Sequence, residues 1–148
     1  MRPFIQIAKA VRRGLLVIFC GLAAGTASAQ VVVIVSAKSP ITALRTDEVA
    51  NIFLGRSMTY PTGDEAVPLD QHESSEVRRE FYAKVTRRSA AFLKAHWSKL
   101  LFTGKGQPPR DMANGEAVKK IVAEHTKFIG YIDKSAVDAS VRVVLVPE

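Results

Sequence analysis

Residues 31–35, VVVIV, are apolar at every position, with no alternation. A β-branched run apolar on both faces predicts a central strand covered on both sides, as is common in parallel sheets. Ser39-Pro40 ends it. In TDEVANIFLG the period changes: Val49, Ile52 and Phe53 recur at i, i+3, i+4, which predicts a helix. Thr46 is its expected N-cap, Asp47 and Glu48 suit the positive end of the dipole, and Gly55 is the expected stop. Residues 60–66, YPTGDEA, predict a turn-rich loop, and 66–69, AVPL, a short strand in which Pro68 suits an edge or an end.

SEVRREFYAKVT predicts a helix capped by Ser74 or Ser75, with Val77, Phe81, Tyr82 and Val85 on one face. RRSAAFLKAHWSKLLF predicts another, capped by Ser89, with Phe92, Leu93, His96, Trp97, Leu100 and Leu101 as a broad apolar stripe. TGKGQPPR predicts a loop. It lacks the Gly…Gly-Lys-Ser/Thr spacing of a phosphate loop and follows a helix rather than a strand. NGEAVKKIVAEH starts a last long helix at Asn114, and FIGYID (128–133) and VRVVLV (141–146) predict strands joined by KSAVDAS. The order β-α-β-α-α-α-β-β predicts a single α/β lobe with a mixed, mostly buried sheet flanked by helices.

The first 29 residues stand outside this pattern. MRPFIQIAKAVRR is basic, GLLVIFCGLAAG is a short apolar core, and Ala27-Ser28-Ala29 gives a small-x-small cleavage site. This predicts a cleaved secretory signal, residues 1–29, with a mature domain over 30–148 and a periplasmic location. The apolar run is short of the roughly 20 residues that a bilayer requires, so no membrane span is expected in the mature chain. Removing Arg2, Lys9, Arg12 and Arg13 leaves 17 basic against 14 acidic residues, a net of +3 where the whole chain carries +7. A nucleic-acid partner loses its electrostatic support. The only cysteine, Cys20, leaves with the signal, so neither a disulfide nor a Cys-ligated metal is expected.

Candidate chemistry concentrates in LDQHESSEVRREF, residues 69–81. A helix start there offers free backbone N–H groups to an anion, yet Asp70, Glu73 and Glu76 surround it. These acids are expected to occupy the favourable field of the helix N-terminus themselves. The Ser74/Ser75 helix start reads first as an ordinary cap and second as a ligand cradle. Asp70, Gln71, His72 and Glu73 offer metal ligands, but His96 and His125 are not at motif spacing from His72, so no metal is expected. No nucleophile elbow, Cys–His pair or carboxylate dyad stands out, which argues against an enzyme, and no cofactor motif is present.

VANIFLGR (49–56), PLDQHESSEVRREF (68–81) and FIGYIDKSAV (128–137) together, in this order, resemble the periplasmic phosphate-binding proteins of ABC importers. Those carry an IFLG helix, a Ser-Gly-Thr loop opening a helix, and an IGY strand. The resemblance covers nearly all of the mature chain and about one lobe of that two-lobed family. It implies a single periplasmic-binding-protein-like lobe, and a ligand site of Asp70, Gln71, Ser74, Ser75 and Glu76 for phosphate or another small solute. Ser74 falls at the family's phosphate-binding serine, Ser75 at its glycine and Glu76 at its threonine. Asp70 stands where the family has the arginine that pairs with the anion, so an attraction is replaced by a repulsion. Lys105 and Arg110 would restore positive charge if their loop folds over the site. Two functions follow: a periplasmic, non-enzymatic solute-binding protein whose second wall comes from a homodimer or partner, or an envelope accessory module that keeps the fold and has lost the anion.

Overall fold

The computed structural model describes residues 29–148. The predicted signal segment lies, apart from Ala29, outside the described residues. A five-stranded sheet runs in the order β3-β2-β4-β1-β5. Its strands are β1 (Val31–Ser36), β2 (Val67–Gln71), β3 (Arg110–Met112), β4 (Phe128–Asp133) and β5 (Val141–Leu145). Four helices join them: α1 (Thr46–Phe53), α2 (Glu76–Phe81, continued by one π-helical turn to Thr86), α3 (Ala90–Phe102) and α4 (Gly115–Glu124). The α/β class, the single lobe and the mixed sheet are therefore as the hydrophobic pattern predicted.

Alternation along the strands builds two apolar layers. Val31, Val33 and Val35 of β1 join Ile129 and Tyr131 of β4 under α1 and α2. Val32 and Ile34 join Leu69 and Ile132 under Val118 and Val122 of α4. Each fully buried Val, Ile or Phe contributes about 1.5–3 kcal/mol, so these layers are the main stabilising term.

Five local expectations change. β1 is buried on both faces, but it runs antiparallel to both β4 and β5. The apolar run reported helices on both sides, not strand direction. Arg45 is the N-cap of α1; its N–H donates to Glu48 Oε2 at 2.8 Å, and Thr46 is the first helical residue. The segment expected as a loop up to Arg110 hides a short parallel strand, β3, whose pairing with β2 begins at Leu69↔Arg110. RDM has no apolar period of its own, so only the free edge of β2 defines it. β2 itself continues two residues past the expected end, to Gln71. Pro68 lies before the β3 pairing, where its missing N–H costs no ladder bond. Finally, α3 buries only Leu93 and Trp97 of its expected stripe; Leu101 is exposed.

Gly130 is a packing glycine. A Cβ there would overlap Val118 Cγ1 and lie 3.4 Å from Val122 Cγ2. The bare backbone lets α4 sit close on β4.

Candidate functional site

The extra two residues of β2 decide the chemistry of the turn that follows. Leu69 faces the α4 layer, so Asp70 points to the opposite face, under α2. Its carboxylate is buried, with 6 % of the residue exposed. Tyr131 stacks on Phe81 with ring centroids 4.0 Å apart, which aims its hydroxyl at Asp70 Oδ1. Tyr82, on the last buried turn of the α2 segment, donates to Oδ2 at 2.7 Å. Arg78 donates from Nε to Oδ1 at 3.2 Å, and the Gln71 N–H to the same oxygen at 2.8 Å. The guanidinium also lies over the Tyr82 ring, 4.9 Å from its centroid.

The carboxylate thus takes two hydroxyls, a backbone N–H and a cation. Burial pushes the Tyr82 and Tyr131 hydroxyls up from their ordinary value, and the adjacent Asp70 charge pushes them further. Both are neutral donors. Burial opposes the charge on Arg78, but the Asp70 carboxylate outweighs it and holds the guanidinium above its usual range.

The rest of the turn closes on itself. Gln71 is buried and donates from Nε2 to the Tyr131 carbonyl at 2.8 Å. Ser75 Oγ donates to Gln71 Oε1 at 3.0 Å and, as the N-cap of α2, accepts from the Arg78 N–H at 3.2 Å. Ser74 is exposed; its hydroxyl meets His72 Nδ1 at 2.8 Å, and its N–H donates to the same nitrogen at 3.3 Å. Glu76 is exposed and paired with Arg79. The five predicted site residues are therefore neighbours around one turn, but only Ser74 and Glu76 present side chains to solvent. Asp70 takes the Gln71 N–H and three side-chain donors, while the Arg78 N–H in the first turn of α2 goes to Ser75 Oγ.

An open groove of about 640 Å³ runs beside this turn, lined by His72, Glu73, Ser74, Arg78, Lys94 and Trp97 among others. Its cations are Arg78 and Lys94. Lys105 and Arg110 do not line it. Among the described residues no three His, Cys, Asp or Glu side chains are placed to hold a metal, and no helix is long and apolar enough to cross a membrane. Sequence reasoning missed Arg78, Tyr82 and Tyr131 as partners of Asp70. No local signal named them: the expected strand ends at Leu69, and only its extension to Gln71 puts Asp70 on the inner face, where a carboxylate requires buried donors.

No protein-family model and no curated protein matches the chain. Solved structures do match in fold. A phosphate-bound structure from Clostridium perfringens, described as a phosphate ABC transporter substrate-binding protein, aligns with a TM-score of 0.62 at 20 % identity; the alignment covers 78 % of this chain and 44 % of that one. An ABC-type phosphate transport receptor from Vibrio cholerae aligns with a TM-score of 0.61 at 17 % identity, over 78 % of this chain and 45 % of its own. PstS from Borrelia burgdorferi aligns with a TM-score of 0.58 at 12 % identity, over 78 % and 46 %. The chain spans less than half the length of these proteins, and its fold is that of one lobe of a phosphate-binding protein.

Proposed function

We propose that this chain is a non-enzymatic interaction module of the cell envelope, exported by its N-terminal signal, that keeps one lobe of the phosphate-binding-protein fold with the anion site closed. The observation that carries this is the Asp70 carboxylate, which takes the donors of Arg78, Tyr82, Tyr131 and the Gln71 backbone. An internal anion already satisfies the cation and hydroxyls at the turn, and a second anion beside it would meet repulsion. Asp70, Gln71 and Ser75 then hold the turn in shape, while Ser74, Glu76 and Glu73 form its outer rim.

A second reading has one observation in its favour. Ser74, Arg78 and Lys94 converge on an open groove, which would admit a small anionic solute if a partner or second copy supplied the facing wall. Calorimetric titration of residues 30–148 with phosphate, with sulfate as control, separates the two. No saturable heat to millimolar phosphate is expected. Saturable binding that weakens in Ser74→Ala would overturn the closed-site reading in favour of the second. Trp97, the chain's one tryptophan, lines the groove and supplies a fluorescence readout of the same event.

A further inference from the structure

The charges of the mature chain are segregated. Residues 81–110 carry seven basic side chains and no acid, while the rest of the mature chain carries ten basic and fourteen acidic. Of the seven, only Lys84 is ion-paired among the described residues, to Glu80 at 2.8 Å. The centre of the segment is α3, tethered through buried Leu93 and Trp97 and a 2.8 Å bond from His96 Nε2 to the Leu54 carbonyl.

The opposite side of α3 is free. Ala91, Ala95, Ser98 and Phe102 recur at i, i+4, i+7, i+11 and share one exposed face, with Lys94 and Lys99 flanking it. Phe102 is 93 % exposed and Leu101 53 %. Neither lines the groove at the β2–α2 turn or the smaller one beside Gly55. After the helix the chain turns at Gly104, and the Lys105 N–H donates back to the Leu100 carbonyl at 2.9 Å. This keeps Lys105 beside the same end.

We propose that this acid-free segment docks on an anionic phospholipid surface, with α3 lying along it and Leu101 and Phe102 entering the headgroup layer between Lys99 and Lys105. The basic charge matches the sign of such a surface, and projecting apolar side chains ringed by lysines suit an interfacial helix. A projecting phenylalanine needs a matching cavity on a folded partner, whereas a fluid bilayer accommodates it without one. The inference is independent of what the β2–α2 turn binds.

Vesicle flotation of residues 30–148, which contain every described strand and both apolar layers, tests it. The chain is expected to float with phosphatidylglycerol–phosphatidylethanolamine vesicles and not with phosphatidylcholine, and to be released at about 1 M salt, where screening is short-ranged. Lys99→Gln with Lys105→Gln is expected to weaken binding about 25-fold, at roughly fivefold per cation. Phe102→Ser is expected to weaken it with the salt dependence unchanged. Circular dichroism should be unaltered in both, since these side chains are exposed. Absence of flotation, equal binding to neutral vesicles, or binding indifferent to both variants overturns the proposal. Retention on polyglutamate through Lys99 and Lys105 without vesicle binding also overturns it, in favour of an acidic protein partner.

Discussion

Replacing Asp70 by alanine removes the acceptor on which two buried hydroxyls and a cation converge. Tyr82 and Tyr131 are both buried, and the Arg78 side chain is 21 % exposed, so water replaces little of what is lost. Removing one member of a buried ion pair costs about 3–5 kcal/mol, and each hydroxyl left without an acceptor costs about 1–3 kcal/mol. These costs overlap, because Arg78 swings out and the cavity admits water, and the expected loss is about 4 kcal/mol. That is a large share of a total stability on the order of 5–15 kcal/mol. Asp70→Asn retains one acceptor oxygen but no charge, and should lose about 2 kcal/mol. Tyr131→Phe removes one donor and leaves the carboxylate with the other three, for about 1 kcal/mol. Urea unfolding followed by circular dichroism reads all three, with the midpoint falling at constant slope. The order Asp70→Ala, Asp70→Asn, Tyr131→Phe is the substance of the claim. An Asp70→Ala loss below about 1 kcal/mol, or a Tyr131→Phe loss larger than that of Asp70→Ala, would refute the internal-anion assignment.

Two further outcomes test the packing and the tyrosines. Gly130→Ala drives a methyl into Val118 and should cost about 1–3 kcal/mol in the same urea experiment, with Val118→Ala in the same chain recovering part of the loss. All three tyrosines, Tyr60, Tyr82 and Tyr131, are held above their ordinary value, Tyr60 by burial alone. Little tyrosinate absorbance should therefore appear in the folded chain at about pH 10, where an unfolded chain is half ionised. Because these folded-state values are raised, the stability they contribute is complete below about pH 10 and declines as pH rises beyond it. Tyrosinate absorbance that rises at about pH 10 without unfolding would contradict the burial of these hydroxyls.

Much of this fold is written locally. The β-branched run at Val31–Val35, the i, i+3, i+4 spacing of Val49, Ile52 and Phe53, and the caps at Ser75, Ser89 and Asn114 each act within a few residues, and each forms the element its pattern predicts. The network on Asp70 is not local. Asp70 lies 12 residues from Tyr82 and 61 from Tyr131 in the chain, and no spacing rule connects them. Their meeting depends on β2 running to Gln71, which turns Asp70 to the inner face, and on β2 pairing with β4, which brings Tyr131 alongside. The direction of β1 is likewise set by its neighbours, since burial on both faces is compatible with either sense. The sequence by itself determined the four α-helices, four of the five strands and where the acids stand relative to the serines, while β3 took its strand form only from the edge of β2. Only the tertiary structure decided that one of those acids is turned inward, because the face of a strand residue is fixed by register, and register is fixed by pairing with residues far away in the chain.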